Sequence, residues 1–228
     1  MSKISHRLLN ITEMISKPYQ QVWDCCCDHG LLGLHLLEHK IANDVVFIDI
    51  VPELMQKLVK KLSSLEQRTH NFPKWQVKCE DVGFITLDKA LKQTPLFIIA
   101  GVGGDLTLEL VRSICQRNDN HQLEFLLCPV HHNATLREGL TSLGFGLINE
   151  RIVKENQRFY EIIHVSQAIN QPIVEIGSIM WDLTTPVHQE YQQKRLQHYQ
   201  RRLNSRDQQT KAQAQRLVRA YQALLVEQ

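Results

Sequence analysis

Apolar residues follow two rhythms along this chain. Ile4, Leu8, Ile11 and Ile15 recur at helical spacing, which predicts a short amphipathic helix that Pro18 ends. The continuous run 21-QVWDCCC-27 reads as a buried strand, and 31-LLGLHLLEHK-40 as a helix behind it. Next, 45-VVFIDI-50 is a β-branched run ending in an acid. Pro52 suits the first turn of the helix that follows, 53-ELMQKLVKKLSSLEQR-68. A short alternating strand, 75-WQVKC-79, leads through 80-EDVGF-84 into a helix expected to reach about Lys92. The strand 96-LFIIA-100 runs into the glycine turn 101-GVGG-104 and a helix from about Asp105 to Cys115. The last strand–helix pair is 123-LEFLLCP-129 and 133-NATLREGLTSLG-144, with Gly144 as a helix C-cap. The rhythm then changes. Residues 145-FGLINERIVKENQRFYEIIHVSQ-167 hold two strand-like runs around a polar turn at Lys154 to Gln157, and no helix fits between them.

Strands alternating with helices predict a mostly parallel sheet covered on both faces. Closing such a sheet with an antiparallel hairpin is the outline of the class I methyltransferase variant of the Rossmann-like fold. Beyond it, from about Gln189, the chain has no Gly or Pro, and Leu196, Tyr199, Leu203, Leu217, Tyr221 and Leu224 keep helical spacing. Asn204 to Asp207 is the expected break between two helices of a coiled-coil-like hairpin. The expected domains are therefore 1–167 and 168–228.

The 43% apolar and 22% charged content of the 228 residues indicates a globular chain, and the net charge of +2 announces no partner. The tail is different. Lys194, Arg195, Arg201, Arg202, Arg206, Lys211, Arg216 and Arg219 there face only Glu190, Asp207 and Glu227. No apolar run approaches membrane-spanning length, and Met1 to Asn10 has no signal-peptide core. A cytoplasmic location with six free thiols is expected.

In such sheets ligands bind beyond the carboxyl ends of the strands. Four of those ends carry chemistry. Asp24, Asp28, His29 and Gly30 form an acidic, tight entry to a helix, suited to an amino acid's ammonium and carboxylate. Asp49, followed by Ile50, can take the hydroxyls of a ribose. Glu80 and Asp81 can accept from an adenine amino group. At Ala100, Gly101 and Gly103 missing side chains let the backbone approach a ligand. Amino acid, ribose and adenine in that order spell S-adenosylmethionine. The absence of G-x-G-x-x-G and of a phosphate-binding G-x-x-x-x-G-K-[ST] loop counts against dinucleotides and NTPases.

The chain resembles the bacterial tRNA (adenine-22-N1)-methyltransferase family over nearly its whole length. The resemblance rests on 4-ISHRL-8, 24-DCCCDHG-30, 99-IAGVGG-104, 134-ATLREGLTSLGF-145, 158-RFYEII-163 and the basic helical tail. Asp24, Asp28 and His29 match the family's Asp-Val-Gly-Ser-Asp-His motif, with Cys26 at the glycine position. Cys128-Pro129-Val130 stands where the family has Gln-Pro-Asn. The resemblance implies methyl transfer from S-adenosylmethionine to N1 of an adenosine in tRNA, and adds Arg7 as a residue closing over the cofactor. On this reading Asp28 stabilises the cationic product or relays the N6 proton, and His29 orients it. Pro129, His131 and His132 would meet the base, and Lys194, Arg195, Arg201 and Arg202 the tRNA backbone.

A zinc site at Cys25, Cys26, Cys27 and His29 fails because successive strand residues point to opposite faces, leaving only Cys25 and Cys27 together. No metal is expected. A thiol nucleophile at Cys27 would need a depressed pKa, and core filling by small residues is favoured. His131 and His132 stand equally well as a base or substrate contact and as surface imidazoles. Trp23, Trp75 and Trp181 are expected in packing. A monomer is expected. A different methyl acceptor (a small molecule or a protein), or a non-catalytic RNA-binding protein, remain the alternatives.

Overall fold

The computed structural model describes residues 4–88, 91 and 93–224. The chain divides into two compact units, Met1–Ile173 and Val174–Gln228. The first opens with helix α1 (His6–Glu13), then β1 (Val22–Cys25), α2 (Leu31–Glu38), β2 (Asp44–Asp49), α3 (Pro52–Arg68) and β3 (Lys74–Cys79). After a single 3-10 turn at Val82–Phe84 come β4 (Leu96–Ala100), α4 (Gly104–Arg117), β5 (Glu124–Cys128), α5 (Asn133–Ser142), β6 (Gly146–Glu155) and β7 (Arg158–Ser166). The seven strands make one sheet in the order β3-β2-β1-β4-β5-β7-β6. β1 to β5 are parallel; β7 runs antiparallel to β5 and to β6.

Strand alternation sends successive side chains into two cores. Val45, Phe47, Leu96, Ile98 and Leu126 face one, with Leu36, Leu58 and Leu62 from α2 and α3. Val46, Ile48, Phe97, Ile99, Phe125 and Leu127 face the other, with Val111, Ile114 and Leu140 from α4 and α5. Because the central strands are covered on both faces, they read as continuous apolar runs in the sequence. The hairpin between β6 and β7 turns on Asn156 (φ 47°) and Gln157 (φ 62°), the two left-handed residues of a two-residue loop.

Three expectations change. Among the described residues, only the 3-10 turn Val82–Phe84 stands between Glu80 and β4, in place of the expected α-helix. Asn118 accepts from Leu87 N (2.6 Å) and donates to Ile85 O (3.0 Å), which holds that segment irregular against the end of α4. The rest of the helix expected there involves Lys89, Ala90 and Lys92, which lie outside the described residues. The first strand stops at Cys25, because Cys26 (φ 54°) and Asp28 (φ 50°) are left-handed. That turn breaks the alternation, so Cys25 and Cys27 pack into opposite cores and share no face. Finally, the first unit runs past Gln167 to Ile173. Leu147 N donates to Gln171 O (2.8 Å), and Ile173 is buried in the α4/α5 core.

The second unit holds α6 (Pro186–Arg202) and α7 (Gln208–Ala223), with Asp207 capping α7 through Thr210 N (2.7 Å). α6 starts ahead of Gln189 because Pro186 is compatible with its first turn. Its core is aromatic. Trp181 stacks on Tyr191 (centroids 5.7 Å apart) and Tyr199 on Tyr221 (5.9 Å), beside buried Ala214 and Leu217. Glu175 and Arg216 pair bidentately at 2.8 and 2.9 Å.

Candidate active site

The turn after β1 is built by three left-handed residues, Cys26, Asp28 and Gly30. Gly33, one turn into α2, has no room for a side chain. A Cβ there would lie 2.3 Å from Phe47 Cε1 and 3.0 Å from Asp24 Oδ2. This close approach lets Gly33 N donate to Asp24 Oδ2 at 2.9 Å. Asp24 is otherwise buried. Burial raises its pKa to about 7, the Gly33 hydrogen bond holds it down in part, and the charge of Asp49 adds to the rise.

Asp49, at the end of β2, staples the two loops. Its Oδ2 accepts from Asp28 N (2.9 Å) and its Oδ1 from Val51 N (3.2 Å). Above it, His29 Nδ1 lies 2.6 Å from Asp28 Oδ1, with both side chains largely in solvent. All three thiols of the turn are pushed up, not down. Burial dominates in each, with like charge from neighbouring acids, and Cys26 reaches about 11. A thiolate nucleophile is therefore disfavoured in this turn.

A cavity of about 600 Å³ opens over the carboxyl ends of β1, β2 and β4. Asp24, Cys26, Asp28, His29, Asp49, Ala100 and Gly101 line it, as does Arg7 from α1. A smaller, apolar recess of about 340 Å³ shares Cys26, Asp49 and Val102 with it and adds Ile50, Asp81 and Leu106. Ile50 and Leu106, both exposed, form its flanks. Asp81 Oδ1 accepts from Gly83 N (2.7 Å). Gly101 stands at φ 92° with nothing within 4 Å of where a Cβ would be, so open space meets bare backbone there.

Other expected residues lie outside this lining. Glu80 is exposed, 3.5 Å from Lys78 Nζ. Gly30 is buried against Leu58 and Phe47. Gly103 lies against the His131 ring. Pro129 is buried, and exposed His131 and His132 gather beside Asp105. In the second unit Lys194 pairs with Glu190 (2.9 Å), while Arg195 bonds Tyr199 Oη (2.6 Å) and lies over its ring. Arg201 Nε donates to Gln197 O (3.3 Å), and Arg202 is half-buried on α6.

The structure also brings in residues that sequence reasoning passed over. Glu155, at the end of β6, accepts from Arg7 N at 3.0 Å and lines the cavity with Ser5 and Leu8. Arg7 lies 4.8 Å from the Tyr160 ring centroid, a cation–π distance. The local signal was limited to Ser5, which caps α1 by accepting from Leu8 N. Glu155 had none, being 148 positions from Arg7.

A sheet of this order with one reversed strand, and an acid-lined cavity over its switch point, define the class I methyltransferase architecture. The sequence agrees: a family model described as a methyltransferase domain matches residues 4–163, and the chain belongs to that family. A comparison with curated proteins gives no match. Among solved structures, the chain is similar to Streptococcus pneumoniae Sp1610, described as a candidate tRNA (m1A22) methyltransferase. Identity is 21% and the TM-score 0.78, over 98% of this chain and 100% of that one. The TrmK protein of M. capricolum, solved with S-adenosyl-homocysteine, gives 15% identity and 0.77 over 97% of both chains. The B. subtilis m1A22 tRNA methyltransferase TrmK gives 18% and 0.67 over 97% of both. At these identities the likeness establishes the fold.

Proposed function

We propose that this protein transfers a methyl group from S-adenosylmethionine to N1 of an adenosine in tRNA, position 22 being the expected target. One observation carries the reading: a single cavity and its side recess gather acids from the ends of β1, β2 and β3 in the order the cofactor's parts require. The full-length likeness to m1A22 tRNA methyltransferases, one of them described with S-adenosyl-L-methionine bound, supports it.

The residues fit the cofactor. The larger cavity falls within the roughly 300–1,000 Å³ of small-molecule sites. Asp24 and Asp28 offer negative charge to an ammonium group. Asp49, already fixed by two backbone donors, presents its remaining lone pairs to ribose hydroxyls. Ile50, Val102 and Leu106 give an apolar slot for a purine, with Asp81 at its edge. S-adenosylmethionine would supply an electrophilic methyl on a sulfonium leaving group. N1 of neutral adenine carries its own lone pair, so the chain's contribution is positioning rather than strong-base catalysis. N1 is on the pairing edge, so the base must leave its stack, at a cost of a few kcal/mol. Asp28, oriented by His29, stabilises the positive charge that develops on the methylated base. Arg7, on α1, closes the cavity.

The basic residues of the second unit, Arg201 and Arg202 foremost, would contact tRNA phosphates and make binding salt-dependent. A tRNA substrate and free thiols suit the cytoplasm. The deciding experiment incubates the protein with bulk tRNA and methyl-labelled S-adenosylmethionine and analyses the nucleosides. Labelled 1-methyladenosine is expected. A different methylated product would replace the substrate assignment. Failure to bind S-adenosylhomocysteine in calorimetry would remove the enzyme reading.

A further inference from the structure

Outside the cavity lining, two loops at the carboxyl ends of β4 and β5 bring three metal-ligating side chains together. Asp105, His131 and His132 each offer one ligand atom, and all three atoms lie within 4.8 Å of one another. Asp105 Oδ2 contacts His132 Nδ1 directly, and the two imidazole rings are 4.3 Å apart between centroids. The arrangement is held by backbone. Val130 N donates to Val102 O and Gly104 N to His131 O, both at 2.9 Å, so the loops are tied together. His131 lies against Gly103, where a Cβ would be 2.4 Å from its Cε1. His132 is left-handed at φ 61° and makes no side-chain cap to α5, although it occupies the N-cap position. Its imidazole is turned to Asp105 instead.

We propose that Asp105, His131 and His132 bind one divalent transition-metal ion of the zinc class. Two imidazole nitrogens and one carboxylate oxygen are a donor set that a divalent transition-metal ion takes, the carboxylate offsetting one of its two charges. Imidazole nitrogen selects Zn²⁺, Ni²⁺, Cu²⁺ or Co²⁺ over Mg²⁺ and Ca²⁺, which prefer all-oxygen sites. Ligand bonds of about 2.0–2.1 Å in a tetrahedral site would set the donor atoms roughly 3.3 Å apart. The three donor atoms, all on exposed side chains, stand within 4.8 Å of one another, so binding would draw them closer. Three protein ligands leave at least one position open to water or to an anionic oxygen of a bound substrate. Asp105 is next in sequence to Leu106, which lines the apolar recess. This site is separate from the Cys25–His29 cluster and departs from the sequence expectation of no metal.

The test uses the full chain without a polyhistidine tag, stripped of metal. Titration with Co²⁺ is followed by visible absorption, and Zn²⁺ affinity by competition with a chromophoric chelator. One ion per chain is expected. Asp105→Asn, His131→Ala and His132→Asn should each weaken binding at least about tenfold. Asn is chosen at position 132 because it tolerates the left-handed backbone. Matching thermal melts establish that each variant folds. Half-buried His35 on α2 and exposed His39 at its C-cap, with rings 3.9 Å apart, are the rival seat. The double variant His35→Ala/His39→Ala, and Cys79→Ser, should keep wild-type affinity. Absence of stoichiometric binding, binding that survives His132→Asn, or binding lost with the α2 pair would each overturn the proposal.

Discussion

Two buried carboxylates of the parallel strands, Glu124 and Asp24, are treated in opposite ways. Glu124 begins β5 at the amino end of the parallel strands. Burial would raise its pKa, but hydrogen bonds from His164, Lys17 and Tyr19 overcome this and bring it down to about 2. Asp24 lies in β1 toward the carboxyl end. It has one hydrogen bond, from Gly33, and burial raises it to about 7. Both are nearly inaccessible in the fold. One end of the sheet thus satisfies its charge internally, as a structural joint does. The other end leaves a charge under-compensated beside a cavity, where a cationic ligand would complete it.

Glu124→Leu should show the largest effect. It strips Tyr19 and His164 of their common acceptor and removes the partner of Lys17. A loss of about 3–5 kcal/mol in urea unfolding at neutral pH is expected. S-adenosylhomocysteine affinity, measured where the variant remains folded, should not change. In the wild type the Glu124 contribution is present above its unfolded pKa near 4.5 and disappears as pH falls toward about 2. A variant as stable as the wild type would mean that the joint is ornamental.

Asp24→Asn should act in the other direction. A carboxylate with a raised pKa costs stability once it ionises. Its folded form is unpenalised below about pH 4 and loses stability as pH rises through about 7. The full difference is on the order of 4 kcal/mol, an upper figure for a site that water can reach through the cavity. The asparagine variant keeps the acceptor for Gly33 and should gain stability over the wild type at pH 8, with the gain absent at pH 4. Chemical denaturation at the two pH values measures it. Equal gains at both would remove ionisation as the cause.

The same substitution should weaken S-adenosylhomocysteine binding at least about tenfold, roughly 1.4 kcal/mol. Calorimetry in buffers of different ionisation enthalpy adds a sharper readout. Wild-type binding below about pH 7 should release a proton, because a bound ammonium favours the ionised acid. A variant that binds as tightly as the wild type would make Asp24 a second structural acid, and the contrast with Glu124 would collapse.

Much of this was legible in the sequence because the relevant physics is local. The parallel strands announce themselves as apolar runs, and the acids that end them follow directly. The hairpin turn could be placed because Lys154 to Gln157 interrupts two β-rich runs. What escaped was set at long range. The segment after Glu80 has helix-compatible residues, but Asn118, more than thirty positions away in the chain, holds it open. Glu155 reaches the cavity through a hydrogen bond to Arg7 that no periodicity encodes. The alternation that was expected to put Cys25 and Cys27 on one face fails for a different reason: Cys26 adopts the backbone of a glycine without being one.

Cys26 therefore gives the smallest and most specific prediction. At φ 54° its side chain costs about 1–2 kcal/mol relative to a residue without a Cβ, and glycine's greater freedom in the unfolded chain offsets part of that. Cys26→Gly should stabilise the fold by up to about 1 kcal/mol. Cys26→Val, β-branched in a left-handed turn, should destabilise it by about 1–3 kcal/mol. The thiol also lines both the main cavity and the apolar recess, so removing it widens the passage between them. Cofactor-product affinity should rise in the glycine variant and fall in the valine variant. If glycine stabilises the fold yet weakens binding, the thiol makes a contact with the ligand, and its presence in place of glycine is a specificity feature. If both stability and affinity rise together, the cysteine is a tolerated strain on a turn whose shape is dictated by Asp24, Asp28 and Asp49.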